Sequence, residues 1–234
     1  VEEKQVTANE RITTLTGEIL LFSVLGKIIY NEPDCSWIDE LTREDIFSDA
    51  PFGEEKEEIQ RGLQIMKEWA NAHVSGISKM DQTQLQADYT ALFLGPGKMA
   101  ASLWESVYFT EERLIFQERT LDVRKWYHQF GLEPERLYQE PDDHIGFELF
   151  FIAHLARLAL IALEENDEAT YENHILAQKK FCEAHLLQWG TIWANLVIEN
   201  AKTDFYQGVG WLTLGALLTL ADKLAIKIST ETIS

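Results

Sequence analysis

The chain is poor in the residues that staple small folds together. Only two of its 234 residues are cysteine, Cys35 and Cys182, and they form no C-x-x-C pair. This excludes a disulfide framework or a thiolate metal finger and points to a reducing compartment, the cytoplasm. Positive charge is also scarce, with 20 Lys and Arg against 39 Asp and Glu, a formal net charge of −19. Such a surface repels nucleic-acid phosphates and anionic lipid headgroups, so neither nucleic-acid binding nor stable membrane insertion is expected. It favours a basic partner, such as a peptide carrying arginine. The longest apolar run, Leu149 to Leu163, is interrupted by His154 and Arg157 and is shorter than the roughly 20 residues of a membrane span. Val1 to Glu10 is polar and carries acids, unlike a secretory signal. There is no β-hairpin signal, no internal repeat, no G-x-S-x-G nucleophile motif and no Walker-type phosphate loop.

What the chain does have is apolar residues at helical spacing nearly everywhere. Hydrophobic residues make up 46% of it, enough for a packed core. Ile12, Leu15, Ile19, Phe22 and Leu25 form one stripe, which ends near Pro33. Further helices are expected over Ser36–Leu41, Glu54–His73, Asp81–Phe93, Glu111–Phe130, Asp142–Glu165, Ala169–Asn200 and Asp204–Ile228. The reading is all-α: one helical domain over residues 1–234, with roughly eight to ten helices and fraying at 1–8 and 229–234. It does not decide between a monomer and a domain-swapped dimer.

The helical period stops between Leu94 and Tyr108. Gly95-Pro96-Gly97 punctuates the chain, and the loop then carries Met99, Trp104 and Tyr108. A long loop with that apolar load either folds back on the core as a lid or contacts a ligand, and the two are compatible.

The densest polar cluster is Glu140-Pro141-Asp142-Asp143-His144, followed by Glu148. Asp142 or Asp143 is a natural N-cap for the helix that follows. Glu140, His144 and Glu148 could share one face and hold a metal if that helix starts early, but the paired Glu-x-x-His pattern of di-iron bundles is missing. Asp143 could tune His144 for acid–base chemistry, yet no nucleophile accompanies it. His154, His174 and His185 fall inside helical segments and read as packing or surface residues. A third reading is peptide recognition, with apolar residues around the loop forming a groove and Glu105, Asp142, Asp143 and Glu148 an acidic rim for arginines. The bland alternative is a capped helix in a structural scaffold.

Two motifs then stand in order, about fifty residues apart: Tyr89-Thr90-Ala91-Leu92-Phe93 before Gly-Pro-Gly, and Glu140-Pro141-Asp142-Asp143-His144, with Trp104-Glu105-Ser106-Val107-Tyr108 between them. Together they resemble the TorD/DmsD family of redox-enzyme maturation chaperones. The resemblance implies a cytoplasmic, all-α chaperone, read as non-catalytic; some members of that family interact with a molybdopterin cofactor or GTP, which nothing in these residues points to, so no cofactor is expected. Its partners would be the twin-arginine signal peptide and the apo-form of a molybdenum oxidoreductase, held until the cofactor is loaded. It also implies that Tyr89, Leu92, Phe93, Trp104, Asp143 and His144 belong to the peptide site, beside Glu105, Asp142 and Glu148 from the residue-level reading. Leu103 stands where relatives often have proline. Asp143→Asn or His144→Ala is expected to weaken peptide binding more than helix content.

Overall fold

The computed structural model describes residues 7–95, 99–109, 118–133 and 140–228. Ten α-helices occur among them: α1 (Ala8–Tyr30), α2 (Cys35–Arg43), α3 (Glu57–Ala72), α4 (Lys79–Tyr89), α5 (Ser106–Phe109), α6 (Glu118–Gln129), α7 (Ile145–Glu164), α8 (Glu168–Ala184), α9 (Leu186–Asn200) and α10 (Asp204–Lys223). A single π-turn, Thr90–Leu94, extends α4. The described residues contain no strand; the one β-like feature is an isolated antiparallel bridge between Trp104 and His144.

Local chemistry accounts for most helix starts. Thr7 and Glu10 form a reciprocal capping box at α1, and Ser78 and Asp81 form another at α4. Each satisfies backbone N–H groups that a helix start leaves without partners. Thr203 caps α10, and Asp88 of α4 reaches across to accept from the Lys202 and Thr203 N–H groups and the Thr203 hydroxyl at 2.6–3.1 Å. One carboxylate thus fixes where α10 begins relative to α4.

The principal packing pairs are α1 with α7, α3 with α10, α9 with α10 and α7 with α8. Close crossings need small residues. At the α1–α7 crossing a Cβ on Gly146 would lie 3.1 Å from the Gly26 carbonyl oxygen, and one on Gly26 would lie 2.9 Å from the Phe150 ring. The core runs continuously through these layers and is centred on aromatics, with Phe22, Phe93, Phe151, Phe181, Trp189, Trp193 and Tyr206 all buried.

Several boundaries differ from the sequence reading. The expected helix Ala169–Asn200 is two helices broken at His185, whose φ of −129° and ψ of −92° lie outside the helical region. The helix expected from Asp142 starts at Ile145, and its N-cap is His144 rather than either aspartate. Helix α10 stops at Lys223 instead of Ile228. The expected fraying of residues 1–8 does not extend to Thr7 and Ala8, which are the cap and first turn of α1. Residues 1–6, 111–117 and 229–234, on which parts of the expected helices and tails fell, lie outside the described residues. Finally, α1 and α7 are each long and apolar enough to cross a membrane, although the uninterrupted apolar run looked too short. The two pack on each other, with 50% and 61% of their most apolar windows buried within the protein.

Candidate functional site

The first motif lies at the end of α4. Tyr89, Leu92 and Phe93 are all buried. The Tyr89 hydroxyl donates to the Ile29 carbonyl at 3.2 Å, tying α4 to the end of α1. Phe93 meets Trp193 of α9 at 5.8 Å in a stacked arrangement and Tyr206 of α10 edge-on at the same distance. Aromatics at i and i+4 are neighbours on a helix, so this short motif joins four helices. As the chain leaves the π-turn, the Leu92 carbonyl accepts the Ala101 N–H at 2.9 Å. An acceptor that the ending helix leaves over is thereby used to dock the loop.

That loop is a lid on the core. Ala101, Ser102, Leu103, Glu105, Ser106 and Val107 are buried and Trp104 is half-buried. It runs antiparallel to the second motif for one bridge: the Glu105 N–H donates to the Asp143 carbonyl at 2.9 Å, and the Ile145 N–H to the Leu103 carbonyl at 2.8 Å. The Asp143 carboxylate accepts from the Ser106 N–H and from the Thr120 hydroxyl, both at 2.8 Å. The Trp104 indole N–H donates to Glu140 at 2.9 Å. The two sequence motifs are therefore the two ends of one staple, with the loop as its span.

The four acids read as an acidic rim are all buried, and three of them, Glu105, Asp142 and Asp143, are paired within the chain. Glu105, which has no accessible surface, bonds the Arg119 guanidinium and lies 2.9 Å from Nδ1 of His185. The other ring nitrogen of His185 lies 3.3 Å from Asp122. Asp142 meets Nε of Arg124 at 2.6 Å, and burial raises its carboxyl above the usual range against the lowering effect of that arginine. Glu148 is fully buried, and the Trp189 indole N–H donates to one of its oxygens at 3.4 Å. Its other oxygen has no hydrogen-bond partner among the described residues. Desolvation, then the nearby Glu105 and Asp143, push this carboxyl well above its ordinary range. The His144 Nδ1 accepts the Gly146 N–H at 3.0 Å, which is the capping bond of α7. Its ring packs among Tyr30, Trp104 and Phe147, and burial lowers it to about 3.

This geometry removes the metal reading of the cluster. Because α7 begins at Ile145, Glu140 and His144 precede it and share no helical face with Glu148. Each of the three is committed to a different partner, and the described residues hold no group of three potential ligands arranged for a metal. His185 is also reassigned. It breaks a helix and bridges the loop to α6, a role its sequence position did not suggest.

Beside the staple lies an open cleft of about 620 Å³. Its floor is aromatic, with Tyr30 at the end of α1, Tyr127 of α6, and Phe147, Phe150 and Phe151 of α7. Four acids line it, Glu32, Glu133, Glu140 and Asp142, and no lysine or arginine does so among the described residues. Of the nine residues singled out from sequence, only Asp142 lines this cleft; Trp104 reaches it through Glu140. The aromatic floor was legible in principle, since Phe147, Phe150, Phe151 and His154 repeat at helical spacing along one side of α7.

The chain matches the family model described as "Nitrate reductase delta subunit" over residues 49–195, a span that contains both motifs and the loop. Among curated proteins it is 31% identical over 146 residues to "Chaperone protein TorD" of Aliivibrio fischeri, covering 62% of this chain and 64% of that protein. It is 29% identical over 208 residues to "Probable Tat proofreading chaperone DmsD" of Haemophilus influenzae, covering 88% and 91%. It is 32% identical over 140 residues to "Tat proofreading chaperone DmsD" of Salmonella typhimurium, covering 60% of each. The aligned stretch thus spans less than two thirds of the Aliivibrio and Salmonella proteins and nearly all of the Haemophilus one. With the all-helical architecture and the paired motifs on a shared staple, the chain belongs to the nitrate reductase delta subunit family, in the company of the TorD and DmsD chaperones.

Proposed function

We propose that the chain is a non-catalytic redox-enzyme maturation chaperone. It receives the twin-arginine signal peptide of a molybdenum-dependent oxidoreductase, together with the apo-enzyme, on the cytoplasmic side before export. The observation that carries this reading is the aromatic cleft with four acids in its lining. A twin-arginine leader joins a basic stretch to an apolar one. Carboxylates suit the guanidinium groups, and aromatic faces suit both cations and apolar side chains. The net charge of −19 steers a basic peptide toward the protein and makes encounter sensitive to salt. The names of the relatives, chaperones in each case and Tat proofreading chaperones in two of them, support the same reading.

In this reading the nine residues act in two ways. Asp142 lines the cleft. Tyr89, Leu92, Phe93, Trp104, Glu105, Asp143, His144 and Glu148 are positioning residues that hold the loop, α6 and the first turn of α7 where the cleft needs them. Calorimetry with a twin-arginine peptide tests the proposal, beside a peptide in which lysines replace the arginine pair. The arginine peptide is expected to bind more tightly, because lysine lacks the bidentate fork, and its affinity is expected to fall with salt. Reversing the exposed acids in Glu32→Lys with Glu133→Lys is expected to lower affinity by about tenfold with an unchanged circular dichroism spectrum. No binding at low salt would refute the proposal.

A further inference from the structure

A second cleft, of about 310 Å³, opens on the other side of the α1–α2 turn. Asn31 and Glu32 line both clefts, so this exposed turn is a shared wall between them. The second cleft is mainly apolar, lined by Ile28, Pro33, Trp37, Ile38 and Phe205. Its charge differs from that of the first. Glu32 and Asp34 line the second, but the Lys27 ammonium, 3.9 Å above the centre of the Trp37 ring, also belongs to the lining and offsets one of them, whereas the described lining of the first cleft holds four acids and no cation.

We infer that the bound peptide crosses the Asn31–Glu32 turn, its arginines in the first cleft and an apolar side chain downstream of them in the second, against Trp37. The inference rests on the signal-peptide reading and adds a second subsite and a direction to it. Continuity comes from the shared wall. Direction comes from the difference in charge: four acids and no cation among the described residues line the first cleft, while in the second Lys27 stands against Glu32 and Asp34 and disfavours a second cation beside it. An apolar side chain has no such conflict and gains burial against an indole face that is half-exposed in the free protein.

Photo-cross-linking with two versions of one twin-arginine peptide tests this. One version carries a benzophenone side chain just upstream of the arginines, the other carries it in the apolar segment. The upstream probe is expected to label residues 147–154 and the downstream probe residues 33–38, of which Pro33, Asp34, Trp37 and Ile38 line the second cleft and none lines the first. Trp37→Ala is expected to weaken the full peptide roughly tenfold and to leave a peptide truncated after the arginines unchanged. Lys27→Glu changes an exposed side chain, so the fold is preserved; it is expected to let both probes label both regions. A peptide that binds while its downstream probe never labels residues 33–38, or whose affinity ignores Trp37→Ala, overturns the second subsite and leaves the first standing. Failure of every peptide to bind the wild-type protein overturns the underlying reading and this one with it.

Discussion

Replacing Asp143 tests whether the second motif is a staple or a contact surface. Its carboxylate has no accessible surface and accepts two hydrogen bonds at 2.8 Å, from the Ser106 N–H and the Thr120 hydroxyl. Hydrogen bonds to charged groups contribute about 1.5–3 kcal/mol each. Asp143→Ala removes both from a buried site, so a loss of about 3–5 kcal/mol is expected. For a chain of this size that corresponds to a fall in Tm of roughly 10 °C. Asp143→Asn behaves differently. The amide oxygen can still accept from Ser106, and the amide nitrogen can donate to Thr120, whose hydroxyl rotates to accept. The Asn variant therefore loses charge assistance but no partner, and a cost of about 1 kcal/mol is expected.

Urea unfolding of the three proteins reads these differences, and hydrogen exchange at the Ser106 amide localises them. Exchange at that amide is expected to accelerate strongly in the Ala variant and modestly in the Asn variant. Peptide affinity of the folded Asn protein is expected to stay within about threefold of wild type, because the side chain does not reach the cleft surface. The buried geometry thus reverses the expectation formed from sequence, that binding would suffer first. If Asn costs as much stability as Ala, the hydrogen-bond account of Asp143 is wrong. A stable Asn variant that no longer binds peptide would return Asp143 to the contact surface.

Arg119→Met strands Glu105, and a loss of about 3 kcal/mol is expected; adding Glu105→Gln should recover much of it in a double-mutant cycle read by urea unfolding. His144 is held near 3 when folded, against 6.5 ordinarily. The unfolded chain therefore binds more protons between those values, and this residue makes stability rise with pH across that window. His144→Asn keeps a capping acceptor and should flatten that part of a pH series of melting temperatures. Glu148 has the opposite sign: its folded carboxyl is raised, so its contribution is present below about 4.5 and is lost as pH rises through the raised value. Glu148→Gln is expected to match wild type near pH 4 and to be relatively more stable near pH 8 in the same series.

Residues with local periodicity were legible, and residues fixed by distant partners were not. The stripes of α1, α3 and α10 follow from spacing alone. Asp142 and Asp143 have good N-cap chemistry, yet His144 caps α7 because Arg124 holds one aspartate and Ser106 with Thr120 holds the other. Local propensity gave way to tertiary bonds over 18 to 37 residues of separation. The break at His185 carries no proline or glycine to announce it. Its cause lies in Glu105 and Asp122, which hold the two ring nitrogens from elements 80 and 63 residues away. The aromatic floor of the cleft was visible as a spacing, but a row of phenylalanines on a helix reads as core until the neighbouring helix is known to leave it open.

The staple and the cleft meet in the first three turns of α7. Glu148, Leu149 and Ile152 are buried, with Glu148 against Trp189, while Phe147, Phe150 and His154 line the cleft. Successive residues on a helix are about 100° apart, so a start displaced by one residue would turn every side chain of α7 by about that angle and take Phe147 and Phe150 out of the lining. Asp143 and His144 set that start, one through the loop and α6, the other through the capping bond. Gly146 holds the rotation from behind, where the Gly26 carbonyl of α1 leaves no room for a side chain. The motif therefore determines which side chains of α7 face the cleft without supplying those side chains. On the proposed reading of the cleft as the peptide site, substitutions at Phe147, Phe150 and His154 are expected to change peptide affinity in calorimetry while the stability set by Asp143 and His144 stays in place.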